Sequence, residues 1–159
     1  MIFVTLGSQK FQFNRLLTEI DKLIEEGNIE EEVFAQIGYS DYKPKNYKYK
    51  EFLDRDEFSS VMKKCDKVIT HGGTGAIISA IKQGKKVIAI PRLKKFDEHV
   101  DDHQLQIVEE FKKMNFIETT IDVKYLNELL NRLEEFNPRS YISNTRNIVE
   151  SIVNFIDAI

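Results

Sequence analysis

The chain has 159 residues, of which 42% are hydrophobic and 31% charged, which is typical of a single soluble globular domain spanning residues 1–159. Its formal net charge of −3 argues against a nucleic-acid-binding protein, because such proteins normally carry an excess of basic residues. No apolar run approaches the roughly 18 residues that a membrane-spanning helix needs, so we expect a protein that does not cross a membrane by itself.

Short apolar runs alternate with segments of helical periodicity along the chain. Residues 2–6 are continuously apolar, which is typical of a strand buried in a parallel sheet. Residues 13–26 place Leu16, Ile20 and Leu23 on one helical face. Further strands are predicted at residues 32–37, 47–52, 67–70, 87–90 and 116–119, and further helices at 54–64, 74–83, 99–113, 126–133 and 140–159. This alternation predicts an α/β, doubly wound, Rossmann-like and mostly parallel sheet.

A glycine-dense turn joins the fourth predicted strand to the helix after it. It consists of His71, Gly72, Gly73, Thr74 and Gly75. Three glycines in four positions let the backbone turn sharply and let a ligand approach the main-chain amides. Those amides and the positive end of the helix dipole form an anion site, which suits a phosphate or diphosphate. A tight turn without a ligand is the alternative.

The spacing of this turn matches neither of the two common nucleotide motifs. It lacks the Gly-Lys-Ser/Thr ending of a nucleoside-triphosphate P-loop, and Ile78 occupies the last glycine position of the dinucleotide pattern. The turn therefore predicts a phosphate-bearing ligand without indicating ATP or NAD.

Three segments should meet at one rim of the sheet. Gly7 and Ser8 follow the first strand, the glycine-dense turn follows the fourth, and a charged loop follows the fifth strand at Pro91. Because the carboxyl ends of parallel strands lie on the same side, we expect these segments to surround the ligand.

Polar side chains are dense just after the fifth strand. On a helix His99, Asp102 and His103 would share a face, with Gln104 beside them, and such groups can bind the hydroxyls of a sugar. Acidic residues in a first helical turn are also favoured by the dipole alone. A zinc site on the two histidines is a third possibility, although no third ligand stands at a supporting spacing.

His71 to Gly75, Pro91 and the Glu98 to Gln104 segment together resemble the C-terminal half of glycosyltransferase family 28. Within it, the chain is similar to the small subunits of two-part transferases, both the eukaryotic enzyme that builds dolichol-linked GlcNAc and bacterial enzymes of capsular and exopolysaccharide synthesis. The resemblance implies one half of a GT-B fold and a UDP-sugar donor, with no cofactor and no metal ion.

The resemblance also implies roles for individual residues. Gly7, Ser8 and the glycine-dense turn would face the diphosphate, and Asp102, His103 and Gln104 would face the donor sugar. Many relatives carry a ribose-binding glutamate where this chain has Ser79, so Glu98 is the substitute that we expect to bind ribose. The general base would be His99 or a residue of a partner chain.

A GT-B enzyme needs a second domain for the acceptor, and this chain is long enough for only one. The resemblance therefore implies a membrane-anchored partner subunit that binds a lipid-linked saccharide. The apolar stripe of the terminal helix would dock on that partner or pack on its own sheet. Arg92, Lys94 and Lys95 beside the site suit a position near anionic lipid.

The expected location is cytoplasmic, peripheral to the inner face of the plasma membrane through the partner. The single cysteine, Cys65, excludes an internal disulfide, and Met1 leads directly into a strand, which leaves no room for a signal peptide. The expected function is the donor-binding catalytic subunit of a two-component inverting transferase that moves a hexose, galactose or GlcNAc. A non-catalytic accessory subunit that binds a nucleotide sugar is the alternative, and a nucleotide-sugar epimerase-like enzyme is a weaker one.

Overall fold

The computed structural model describes residues 1–157, which form a six-stranded sheet with helices on both faces. The strands are β1 (Ile2–Thr5), β2 (Val33–Gln36), β3 (Lys48–Lys50), β4 (Lys67–His71), β5 (Lys86–Ile90) and β6 (Glu118–Thr119). Each is parallel to its neighbours, in the order β3-β2-β1-β4-β5-β6. This is the order of a doubly wound nucleotide-binding sheet, and the predicted fold class is confirmed.

The helices occupy the predicted segments, but two of them begin later than predicted, at residue 103 instead of 99 and at residue 145 instead of 140. They are α1 (Asn14–Glu25), α2 (Arg55–Lys64), α3 (Thr74–Lys82), α4 (His103–Lys113), α5 (Leu126–Glu135) and α6 (Thr145–Asp157). The prediction that α4 begins at residue 99 is wrong, because residues 97–102 form turns and the helix begins at His103. Residues 158 and 159, the end of the predicted terminal helix, lie outside the described residues.

Side chains alternate between the two faces of the sheet, so the core has two halves. On one face Val4 packs with the apolar stripes of α1 and α5, represented by Leu16 and Leu129. On the opposite face Phe3 packs with α2, α3 and α4 through residues such as Met62 and Ile77. Burial on both faces explains why the central strands are continuously apolar.

The sheet has its topological switch point between β1 and β4. β1 pairs with β2 on one side and with β4 on the other, so that Thr5 lies opposite both Gln36 and Thr70. The loops after β1 and β4 leave the sheet in opposite directions and open a crevice. In open α/β sheets ligands bind at this place.

The terminal helix α6 presents an apolar stripe to solvent. Its exposed residues are Ile148, Val149, Ile152, Val153, Phe155 and Ile156, each between 47% and 69% exposed. Of the two alternatives for this stripe, packing on its own sheet is therefore not what the structure shows. Within residues 1–157, no helix combines the length and the apolar character needed to cross a bilayer.

Candidate functional site

A cleft of about 340 Å³ lies at the switch point, above the carboxyl ends of β1 and β4. The loop after β1, the glycine-dense turn and the first turn of α4 form its walls. The lining residues are Gly7, Ser8, Gln9, His71, Gly73, Thr74, Gly75, Ala76, His103, Gln104 and Ile107. Gly72, also predicted for the site, lies buried directly behind this lining. The structure thus brings most of the predicted diphosphate-facing and sugar-facing residues to one cleft.

Two of the glycines are required by a single buried histidine. The imidazole of His71 lies between Gly7 and Gly73: a Cβ on Gly7 would stand 2.8 Å from His71 Cε1, and a Cβ on Gly73 would come closer still to His71 Nε2. Gly7 also has φ of +71°, a conformation that disfavours any residue with a side chain. These glycines therefore serve the packing of the loops as well as access for a ligand.

His71 is electrically neutral under ordinary conditions. Burial lowers its pKa to about 4, and the positive charge of Arg92 adds to the effect. Its Nδ1 lies 3.4 Å from Thr70 Oγ1. The cleft floor is therefore a neutral imidazole, which adds neither a charge nor a strong base to the site.

The amino terminus of α3 opens into the cleft without a side-chain cap. Gly73 at the N-cap position supplies no side chain, and the first turn contains no acidic residue. The first amide of the helix to find an acceptor within residues 1–157 is that of Ile77, which donates to Gly73 O at 3.2 Å. The preceding amides of Thr74, Gly75 and Ala76 are thus available to a ligand.

The helices α1, α4 and α5 also begin without a side-chain cap, so the position of α3 at the switch point is what distinguishes it; α2, by contrast, is capped. There Asp54 accepts hydrogen bonds from the amides of Asp56 and Glu57, which completes a capping box. At α3, a Cβ on Gly75 would meet no atom within 4 Å, so no packing requirement explains the glycine. An open, uncapped helix terminus at a switch point is the arrangement of an anion site.

Gln104 joins the two loops that form the back of the cleft. Its Oε1 accepts hydrogen bonds from the amide of Gly72 at 3.1 Å and from the amide of Arg92 at 3.0 Å. Both partners are main-chain N–H groups, which can only donate, so the carboxamide atom that faces them must be the oxygen. The NH₂ group of Gln104 therefore points away from these two amides. Gln104 also explains Gly72, whose Cβ would stand 2.8 Å from Gln104 Cβ.

The histidines after β5 meet through a loop rather than along one helix face. The rings of His99 and His103 lie 4.7 Å apart, and His99 also packs on Phe11 at 4.7 Å. The side chain of His99 is 7% exposed and lies outside the cleft lining, whereas that of His103 is 47% exposed and lines the cleft. The side chain of His99 is therefore largely enclosed and does not line the cleft.

Asp102 and Glu98, the two predicted acidic contacts, both serve the loop itself. Asp102 accepts a hydrogen bond from the amide of Lys94 at 2.8 Å. Glu98 is 1% exposed, with one oxygen 2.7 Å from Arg15 Nε and the other 3.0 Å from the amide of Leu93. Both oxygens of Glu98 thus have internal partners, and it lies outside the cleft lining, so that the predicted contact of Glu98 with ribose stays a prediction that these contacts do not favour.

Glu98 and Arg15 instead line a second cavity of about 510 Å³ beside α1. This cavity is larger than the cleft, but its buried carboxylate, Glu98, is already paired with Arg15, and the cavity does not include the uncapped end of α3. We therefore place the functional site at the cleft.

Arg92 is a part of the site that the sequence did not reveal. It was expected on a basic surface, but it is completely buried, with Nη2 donating to Leu6 O at 2.9 Å and to Phe11 O at 3.1 Å. Its Nε and Nη1 have no acceptor within the described chain, and burial lowers its pKa to about 10. It still carries a positive charge, close enough to His71 to affect its titration. The one feature of the sequence that could have indicated the burial of Arg92 is its position directly after Pro91, at the end of a buried strand.

Comparison with known proteins agrees with this geometry. The sequence profile of the glycosyltransferase family 28 C-terminal domain matches residues 1–159. The UDP-N-acetylglucosamine transferase subunit ALG13 of Candida albicans is 32% identical over 65 residues, which cover 41% of this chain and 21% of that protein.

Two solved structures have a similar fold. The glycotransferase of kitacinnamycin superimposes with a TM-score of 0.61 at 17% identity, over 83% of this chain and 34% of that chain. The NMR solution structure of ALG13 superimposes with a TM-score of 0.57 at 18% identity, over 89% of each chain. At such identities the likeness shows the fold alone, which is that of one Rossmann-like half of a GT-B glycosyltransferase.

Proposed function

Because the chain belongs to the glycosyltransferase family 28 C-terminal domain family, we propose that it is the donor-binding subunit of a two-component inverting glycosyltransferase that uses a UDP-sugar. The observation that carries this proposal is the uncapped amino terminus of α3, which opens into a cleft at the switch point of the sheet. The transferred sugar is a hexose, galactose or GlcNAc, and the acceptor is a lipid-linked saccharide of capsular or exopolysaccharide synthesis.

The diphosphate of the donor binds at the glycine-dense turn. The amides of Thr74, Gly75 and Ala76 can donate hydrogen bonds to its oxygens, and the α3 dipole contributes about 0.3–1 kcal/mol per charge, more where the site is partly buried. Gly7 and Ser8 close the opposite wall. The same groups stabilise the diphosphate as it leaves with its added negative charge, so the transfer requires no metal ion or cofactor.

The donor hexose lies against the first turn of α4. Gln104 Oε1 is held by two main-chain amides, which leaves the side-chain NH₂ as a hydrogen-bond donor towards the cleft. His103 stands beside it with a half-exposed imidazole. These two side chains can form hydrogen bonds with hexose hydroxyls. Asp102 supports them by accepting a hydrogen bond from the amide of Lys94, which holds the preceding loop in place.

The proton of the acceptor hydroxyl is taken by a residue of the partner chain. Of the two alternatives raised by the sequence, His99 is enclosed by Phe11 and His103, and its side chain is 7% exposed. His71 is a weak base because burial lowers its pKa to about 4. Inversion requires the acceptor hydroxyl to attack the sugar carbon from the side opposite the diphosphate. A base on the facing domain would be on that side.

A partner chain is also needed to complete the fold. The described residues form one sheet with one such cleft, whereas this chain covers 34% of the kitacinnamycin glycotransferase. The curated relative from Candida albicans is itself named a subunit. We propose that the exposed apolar stripe of α6 docks on a membrane-anchored, acceptor-binding partner and thereby places the chain at the inner face of the plasma membrane.

One charge-addition pair tests the diphosphate site. Gly75→Asp places a carboxylate at the second residue of α3, where the dipole favours it and where a Cβ meets no atom within 4 Å. The variant should fold and yet lose at least about tenfold in UDP affinity, since the new charge faces the diphosphate. Asn127→Asp adds the same charge at the second residue of α5 and should leave UDP affinity unchanged. UDP affinity is measured by calorimetry. If the two variants bind UDP equally well, the diphosphate does not bind at the amino terminus of α3.

A non-catalytic accessory subunit that binds a nucleotide sugar is the second candidate function. It is favoured by the enclosed His99 and by the weak basicity of His71, which leave the cleft without a strong base of its own. Turnover of UDP-sugar by the assembled pair decides between the two functions. If Gln104→Glu abolishes turnover while the complex stays intact, this chain contributes to catalysis.

A further inference from the structure

A cluster of three potential metal ligands lies at the edge of the cleft. His99, Asp101 and His103 each offer one ligand atom, and these atoms all lie within 4.8 Å of one another. His99 Nδ1 is 3.3 Å from Asp101 Oδ1, and His103 Nδ1 contacts the same oxygen. His103 Nδ1 is hydrogen-bonded to this carboxylate, whereas His99 Nδ1 lies near it and accepts a hydrogen bond from the amide of Asp101 at 3.4 Å.

We propose that His99, Asp101 and His103 form a binding site for one divalent transition-metal ion of the Zn²⁺ type. In a tetrahedral zinc site with N and O ligands the ligand atoms stand about 3.3 Å apart. The distance between His99 Nδ1 and Asp101 Oδ1 has this value, whereas the closer contact of His103 Nδ1 with Asp101 has to open when the ion enters. Two imidazoles and a carboxylate make a three-ligand set that leaves one coordination position open. The third ligand that the sequence pattern lacked is Asp101.

The surroundings suit an ion that is bound and released. The ring of His99 is fixed against Phe11, and its side chain is 7% exposed, so one ligand is already oriented. His103 and Asp101 are 47% and 56% exposed, which leaves a path for the ion. On binding, the ion replaces the contact between His103 Nδ1 and Asp101, and a proton on Nδ1 is exchanged through solvent for one on Nε2, so that Nδ1 can bind the ion.

The ion would cross-link the cleft wall. His99 and Asp101 belong to the turn residues 97–102, whereas His103 is the first residue of α4 and lines the cleft. A metal ion bound to all three fixes the loop to the helix. The proposed sugar transfer does not require this ion, so the metal site and the donor site are separate claims.

Co²⁺ is the probe, because it takes the geometry of Zn²⁺ and absorbs strongly in the visible when tetrahedral. The untagged wild-type chain, at about pH 7.5, should bind one Co²⁺ with such a band, and Zn²⁺ should displace it. Asp101→Asn should weaken Co²⁺ binding at least about tenfold. Asp97→Asn, which removes the same charge from an exposed position of the same loop, should leave it unchanged.

NMR of the imidazoles supplies a readout that a folding defect would not imitate. Zn²⁺ should shift the ring signals of His99 and His103 and leave those of His71, which is buried under the glycines, in place. The absence of a visible band in the wild-type chain, equal Co²⁺ affinity in Asp101→Asn, or a shift of all three histidines would each overturn the proposal. UDP affinity measured without metal tests the donor site, so the two can fail independently.

Discussion

The imidazole of His71 lies directly against the backbone of Gly73, so close that a Cβ on Gly73 would stand 2.9 Å from both His71 Cδ2 and Cε1. The ring cannot swing away, because Gly7 closes its other side. Within the turn His71 thus requires Gly73, just as Gln104 requires Gly72, whereas no atom lies within 4 Å of a Cβ on Gly75.

Gly73→Ala should lower the free energy of unfolding by about 1–3 kcal/mol, since the methyl group overlaps a buried ring. Gly75→Ala should instead raise it by about 0.5–1 kcal/mol, because the site is open and alanine favours the helix. Urea unfolding measures both. The double variant His71→Ala/Gly73→Ala is the control: if the clash is the cause, removing the ring makes Gly73→Ala nearly neutral.

The stability of the protein should fall on acidification below about pH 6.5, because burial lowers the pKa of His71 in the folded chain. Its pKa is about 4 when folded and 6.5 when free, so below 6.5 the unfolded chain binds a proton that the folded chain does not. Stability is therefore present above this value and is lost as the pH falls towards 4, with about 2 kcal/mol lost by about pH 5. In His71→Asn the difference between about pH 7 and pH 5 should shrink by that amount. An unchanged pH dependence would contradict the assignment.

Two substitutions at Gln104 should separate its structural part from its contact with the donor. Gln104→Met leaves the buried amides of Gly72 and Arg92 without an acceptor and should lower the free energy of unfolding by about 2 kcal/mol or more. Gln104→Glu still accepts from both amides, so it should fold but lose the NH₂ donor. We expect its affinity for UDP-sugar to fall further than its affinity for UDP. A parallel loss of both affinities would show that the amide does not contact the sugar.

Glu98→Gln should affect stability and not the donor. The hydrogen-bonded pair with Arg15 is buried on the Glu98 side, and its loss should lower the free energy of unfolding by about 1.5–3 kcal/mol. UDP affinity, measured by calorimetry well below the melting temperature, should be unchanged. A tenfold loss of UDP affinity would instead restore Glu98 to the donor site.

The apolar stripe of α6 should matter only in the complex. Ile152→Asp replaces a side chain that is 53% exposed and should change the free energy of unfolding by less than about 0.5 kcal/mol, while co-purification with the membrane-anchored partner is lost. Ile142→Asp, at an 85% exposed residue just before α6, is the matched control and should retain the partner. If both variants co-purify normally, the partner docks elsewhere.

The fold followed from the sequence because its signals are local and repeated. Strand-forming runs and helical stripes alternate, and Asp54 caps α2 as its residue type predicts. The start of α4 was harder, since the helical spacing of His99 and His103 persists through residues that form turns. There Asp97 adopts φ of +55° and Asp102 binds back to Lys94. Such tertiary hydrogen bonds have no signature in a one-dimensional pattern.

The site was predictable in its main-chain part and less so in its side chains. Glycines at two strand ends locate an anion-binding crevice in any doubly wound sheet. The burial of Arg92 and Glu98, however, depends on Arg15 and on backbone carbonyls more than 75 positions away in the chain. A charged residue in a loop is ordinarily a surface residue, so its partners must be seen before its burial can be inferred.

The double hydrogen bond of Gln104 also limits how the preference for a donor could be redesigned. One carboxamide oxygen fixes both the β4 turn and the β5 loop, so the position tolerates only side chains that keep an acceptor there. A new sugar preference would have to be engineered through other residues of the cleft wall, such as Ile107 and Gln9, whose side chains hold no loop in place. The cleft thus contains one residue, Gln104, whose substitution would disturb two loops, and other wall residues that can be substituted without that cost.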